Sequence, residues 1–132
     1  MPKDIKITAG DVEVEAQLNN SKTAKLIGKA LPIKAIAKRW GEEIYFSISV
    51  EAKLEKKSRD VVEAGELGYW PDGNAFCMFF GLTPASQGDE IRAASVVNII
   101  GKMKGDWSGL TNVPGGASVL IEPVDSTGSL QA

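Results

Sequence analysis

Apolar and polar residues alternate along much of the chain, and the breaks in that alternation divide it into short strands around one helix. Ile5-Lys6-Ile7-Thr8 alternates, Ala9-Gly10-Asp11 is a tight connection, and Val12-Glu13-Val14-Glu15-Ala16-Gln17-Leu18 alternates again, so these two strands form a hairpin with one acidic face. Asn19-Asn20-Ser21 then punctuates. Ser21 or Asn20 caps a predicted helix that runs to about Leu31, with Ala24, Ile27, Ala30 and Leu31 on one stripe and Lys22, Lys25 and Lys29 mostly off it. The lysines form a solvated face or, alternatively, an anion-binding patch. Gly28 weakens the helix by ~1 kcal/mol relative to alanine, which predicts tight packing there, and Pro32 stops it.

The period of two returns in Ile33–Lys38 and, after a turn or bulge at Arg39–Glu43, in Ile44–Val50. Residues 51–60 are the most charged part of the chain and read as a solvated loop or strand extension, with Val61–Ala64 leading onward. Trp70-Pro71-Asp72-Gly73-Asn74 is a turn: Pro71 fixes φ, Asp72 bonds nearby backbone and Gly73 accepts a positive φ. Ala75–Phe80 is wholly apolar and predicts a strand buried on both faces. It needs a barrel or sheet interior on one side and a helix or second layer on the other. A polar loop, Gly81–Glu90, is long enough to line a site. Val96–Lys102 and Ser118–Val124 are the remaining strands, and 125–132 reads as a frayed tail. About eight short strands and one helix predict a mainly β fold, a closed antiparallel barrel or a sandwich, with the helix plugging one open end. All 132 residues read as one domain.

Composition narrows the chemistry more than the fold. The chain has no histidine and one cysteine, Cys77. A Ser-His-Asp triad, a histidine base, an internal disulfide and a Cys/His zinc site are therefore excluded, and neither a metal nor a cofactor is expected. Cys77, in an apolar run with no base to activate it, reads as a buried inert thiol. The net charge of −2 gives no reason to expect nucleic acid. The lack of a long apolar run predicts no transmembrane helix, and a start without an apolar leader predicts a cytoplasmic protein.

The candidate site residues are aromatic and cationic. Tyr69 and Trp70 flank the Pro71 turn, and aromatic rims of this kind bind proline or planar ligands. Phe80 ends the buried strand beside the polar loop and, with Thr83, would floor and edge a groove. Arg39 and Arg92 lie in or beside turns, where a guanidinium fork could bond a carbonyl or carboxylate. The carboxylates Glu42-Glu43, Glu63, Glu66 and Asp89-Glu90 read as solvated charges near turns.

Four pieces in order carry a resemblance: Thr23-Ala24-Lys25 with Ala30-Leu31-Pro32, Trp40–Phe46, Gly68-Tyr69-Trp70-Pro71 with Gly73-Asn74-Ala75, and Phe79-Phe80-Gly81-Leu82-Thr83-Pro84, extended by Asn98-Ile99-Ile100-Gly101. The chain resembles the family of small prokaryotic proteins with a cyclophilin-like fold, which has no settled biochemical activity. The resemblance implies a closed eight-stranded barrel with one capping α-helix. More distantly the chain is similar to the cyclophilin peptidyl-prolyl isomerases, whose Phe-Phe strand is matched by Phe79-Phe80. Their catalytic arginine has its nearest counterpart in Arg39, set in Lys38-Arg39-Trp40 and not in a Phe-His-Arg piece. The leading expectation is a barrel that binds a peptide or small molecule in an aromatic-lined groove at Tyr69, Trp70, Phe80 and Thr83, without efficient catalysis. The alternatives are a peptidyl-prolyl isomerase using Arg39 or Arg92, and a structural subunit that self-associates into a homo-oligomer.

Overall fold

The computed structural model describes residues 3–124. The strands are β1 (Lys3–Ala9), β2 (Val12–Leu18), β3 (Ile33–Ile36), β4 (Lys38–Arg39), β5 (Glu43–Ser47), β6 (Arg59–Val62), β7 (Glu66–Trp70), β8 (Ala75–Phe79), β9 (Ile91–Lys104) and β10 (Ser118–Pro123), with one helix, α1 (Lys22–Ala30). Alternation does in the structure what it dictates in the sequence. In β2, Val14, Ala16 and Leu18 are buried while Glu13, Glu15 and Gln17 face solvent. The pairings are antiparallel throughout, in the order β3-β10-β1-β2-β9-β7-β8-β5-β4, with β6 added on β9. Ile7, Val14, Phe46, Tyr69, Phe76, Ile100 and Ile121 come from seven different strands and meet in one core, so the sheet curls round on itself.

The expected mainly β fold with one helix is what forms. The strand count differs from eight: there are ten strands among the described residues, and the hydrogen-bonded path that joins them is open. Its two ends, β3 and β4, are neighbouring pieces of one stretch that part at Ala37. There the ladder gives way to single bonds: Ala37 N–H donates to the Ala117 carbonyl at 2.8 Å, and Gly116 N–H donates to the Ala37 carbonyl at 2.8 Å.

Ser21 caps α1, its hydroxyl accepting from Ala24 N–H at 3.2 Å. The buried stripe is Thr23, Ala24 and Ile27; Ala30, expected on it, faces solvent. The Glu55 carboxylate accepts from Thr23 N–H at 3.0 Å and from its hydroxyl, so the first turn is served from the charged loop. The close approach at Gly28 is to a side chain that can move: a Cβ there would lie 3.2 Å from Cδ of the exposed, flexible Lys3. Gly28→Ala is therefore expected to stabilise the protein by about 0.5–1 kcal/mol, through helix propensity alone, in urea denaturation.

All five residues of β8 are buried, as the apolar run predicts. Phe76 and Met78 face the main core. Ala75, Cys77 and Phe79 face a second cluster with Val62, Ile91, Ala93 and Val97. The outer cover is thus β6 and the first half of β9, not the helix. β9 is 14 residues long, twice the expected strand: its first half pairs with β6, its second half with β2 and β7. The frayed tail expected for 125–132 lies outside the described residues.

Candidate functional site: an aromatic pocket at Glu43

The second layer does not cover β5 and β8 completely, and the gap is a pocket. Period two sends Ile44 and Phe46 of β5 into the main core and Glu43 and Tyr45 to the outer face. Register sets Glu43 opposite Phe79 and Tyr45 opposite Cys77. Trp70, at the end of β7, reaches the same face, where its indole N–H donates to Ser95 Oγ at 2.6 Å. Trp40 is brought in by the β4–β5 turn: its N–H donates to the Glu43 carbonyl at 3.0 Å. Gly41 makes that turn at φ +61°, and a side chain there would drive into the Leu82 carbonyl and Thr83 Cα, each 2.9 Å from an added Cβ.

The resulting cavity is about 220 Å³. Buried Glu43, Cys77, Ala93 and Val97 form its floor, and the partly exposed rings of Trp40, Tyr45 and Trp70, with exposed Ala94, form its mouth. Glu43 is only 5% exposed, and its Oε1 is fully buried with no hydrogen-bond partner among the described residues. Burial pushes its carboxyl up to about 7, and the neighbouring Cys77 thiol, as a hydrogen-bond donor to the carboxyl, acts the other way. Burial also pushes the Cys77 thiol well up, and the adjacent Glu43 charge adds to this, so the thiol is held as the inert neutral form.

The residues singled out from sequence divide between this pocket and the scaffold. Trp70 lines the pocket. Tyr69, its neighbour, points the opposite way into the main core, with no exposed surface and its hydroxyl donating to the Val50 carbonyl at 2.6 Å; it is not a rim residue. Phe80 and Thr83 do not line the pocket either. Phe80 packs on the main core under the Arg39 guanidinium, 5.3 Å from the ring centroid. Thr83 is buried, and its hydroxyl donates to the Arg92 carbonyl.

Arg39 spends every N–H it has. Nε and Nη2 donate to the Gly41 carbonyl at 3.2 and 3.0 Å, Nη1 to the carbonyls of Thr111 and Val113 at 3.1 and 2.7 Å, and Nη2 to the Glu42 carboxylate at 3.2 Å. Those bonds tie β4 to the segment leading into β10, beside the place where the sheet path opens. A guanidinium so engaged has no donor left for a prolyl nitrogen. Arg92 is held by Asp60 at 3.0 Å and Glu90 at 3.3 Å.

Sequence reasoning left Glu43 among the solvated carboxylates. The available signal was its phase: it alternates with Ile44 on a strand paired to one that is buried on both faces. A larger polar groove beside the start of α1 carries Lys22, Lys56, Lys57 and Arg59. The buried amide within it is already satisfied, Asn98 donating to Thr23 Oγ1 and the Lys53 carbonyl at 2.9 Å each and accepting from Glu55 N–H at 2.8 Å. Among the described residues no group of three His, Cys, Asp or Glu side chains could hold a metal ion, and no helix is long and apolar enough to cross a membrane.

Residues 3–122 match the model of the Cyclophilin-like family. The fold is similar to the solution structure of a hypothetical protein from Archaeoglobus fulgidus, with a TM-score of 0.79 and 44% sequence identity over 91% of this chain and 93% of that one. No curated protein matches the chain.

Proposed function

The chain belongs to the Cyclophilin-like family, and on that premise we propose that it is a binding protein that takes a small molecule, or one side chain of a peptide, into the Glu43 pocket without converting it. One observation carries this reading: an aromatic-walled cavity of about 220 Å³ is lined by Glu43, a nearly wholly buried carboxyl with one oxygen that has no partner among the described residues. Buried polar atoms are almost always paired, because an orphan costs about 1–3 kcal/mol. Folds keep such an atom where a ligand completes it, and concave apolar sites with few polar groups are where ligands bind. The commitment of all five Arg39 donors supports binding over isomerisation.

The test is a fragment screen on 15N-labelled protein that follows the three indole N–H signals. Binders are expected to shift Trp40 and Trp70 and to leave Trp107 in place. Ala94→Phe, which fills the mouth, is expected to weaken them at least about tenfold, the loss of roughly 1.4 kcal/mol of contact. Binders that move only Trp107, or that are indifferent to Ala94→Phe, would overturn the assignment.

A further inference from the structure

We infer that the occupant of the Glu43 pocket is an organic cation, a protonated alkylamine whose N–H bonds the Glu43 carboxylate and whose alkyl groups lie against Trp40, Tyr45 and Trp70. The inference rests on the binding reading above and adds the ligand's charge and chemical class. The walls supply three aromatic rings and the floor one carboxyl, and no lysine or arginine lines the pocket. An anion would meet Glu43 without a compensating cation. A purely apolar guest would give the Glu43 carboxyl no donor and no compensating charge. A protonated amine suits both parts of the lining at once: its N–H and its charge pair with the Glu43 carboxylate, and its charge is attracted to the electron-rich ring faces. One of the polar handles in the walls is already in use, since the Trp70 indole N–H is held by Ser95. The size is suitable too, because a dry cavity of about 150 Å³ already accommodates benzene, and this one is about 220 Å³.

The charge state of the floor then links binding to pH. Burial holds the Glu43 carboxyl protonated to about pH 7, whereas a cation is bound by the carboxylate. The competent fraction therefore rises with pH, and affinity is expected to be about tenfold weaker at pH 6 than at pH 8. The other titratable and charged groups around Glu43 do not take its place. Cys77 faces it from β8 and stays neutral. Lys38 of β4 lies over the Tyr45 ring, its Nζ 6.0 Å from the centroid. On β9, Arg92 beside the pocket-lining Ala93 is tied to Asp60 and Glu90. Glu66 of β7 is paired with Arg59 at 2.8 Å.

The test compares trimethylammonium chloride with tert-butyl alcohol, a neutral probe of similar shape that also carries one hydrogen-bond donor. Both are titrated into 15N-labelled protein at matched ionic strength, with the indole signals of Trp40, Trp70 and Trp107 as the readout. Trimethylammonium is expected to shift Trp40 and Trp70, to bind at least about tenfold tighter than tert-butyl alcohol at pH 8, and to lose about tenfold by pH 6. The alcohol is expected to show no such pH dependence, and Glu43→Gln is expected to abolish the preference for the cation. Equal affinities for the two probes, or a cation affinity that does not change with pH, overturn the cation inference and leave the pocket reading standing. If neither probe shifts Trp40 or Trp70, both readings fall. Should Glu43→Gln not fold, the pH series on the native protein decides the question by itself.

Discussion

Gly101→Ala is expected to cost roughly 3–5 kcal/mol of folding stability, a large share of what a domain of this size has. Gly101 sits in the second half of β9, where it pairs with Leu18 of β2 on one side and Leu67 of β7 on the other. A Cβ built there would lie 3.0 Å from Leu18 Cα and would collide with the Gln17 carbonyl oxygen. Both obstacles are backbone, so no rotamer relieves them. Relief would require β2 to move away from β9, which would disturb the packing of Leu18 and Ile100 in the main core. Urea denaturation of the variant beside the native protein checks this. A loss below about 1 kcal/mol would mean that the β2–β9 spacing is looser than described.

The second large effect is a gain. Glu43→Gln is expected to be more stable than the native protein at pH 8 and close to it at pH 4. The carboxyl has an ordinary value near 4.5 in the unfolded chain and about 7 when folded. Below 4.5 both states hold the proton and the group adds no pH dependence. Between 4.5 and 7 the unfolded chain releases the proton that the folded one retains, so stability falls as pH rises. Above 7 the folded protein carries a buried charge with an unpaired oxygen, and the loss levels off at roughly 3 kcal/mol. Glutamine keeps the shape and removes the charge. Denaturation midpoints at pH 4, 6 and 8 should therefore converge at low pH and diverge at high pH; parallel profiles for the two proteins would contradict the burial of an unpaired carboxyl.

Much of the scaffold was legible in the sequence because it is set by local period and punctuation. The acidic-faced β2, the Ser21 cap and the doubly buried β8 each follow from a few consecutive residues. What escaped depends on distant contacts. β7 contains Gly68, a residue type that is depleted in strands. It is glycine because a Cβ there would meet Val97 Cγ2 at 2.9 Å and Phe79 Cε2 at 3.1 Å, both brought in by other strands. The open sheet path at Ala37 and the engagement of Arg39 both rest on the segment leading into β10, more than 70 residues further along the chain.

The site was half legible for the same reason. Tyr69 and Trp70 drew attention as a pair, yet neighbours on a strand point to opposite faces, so only one of them could reach the rim. Period two makes that choice only once Glu66–Trp70 is known to be a strand. Glu43 carries no sequence mark of burial. Its cover comes from β9, and its consequences come from the absence of a partner, which is a property of the assembled fold alone.

The most direct measurement is the titration of the Glu43 carboxyl carbon by 13C NMR, in the free protein and with saturating trimethylammonium. A midpoint near 7 is expected in the free protein, moving down when the cation pairs with the carboxylate. A midpoint near the ordinary 4.5 in the free protein, unmoved by the cation, would contradict a buried, cation-binding Glu43.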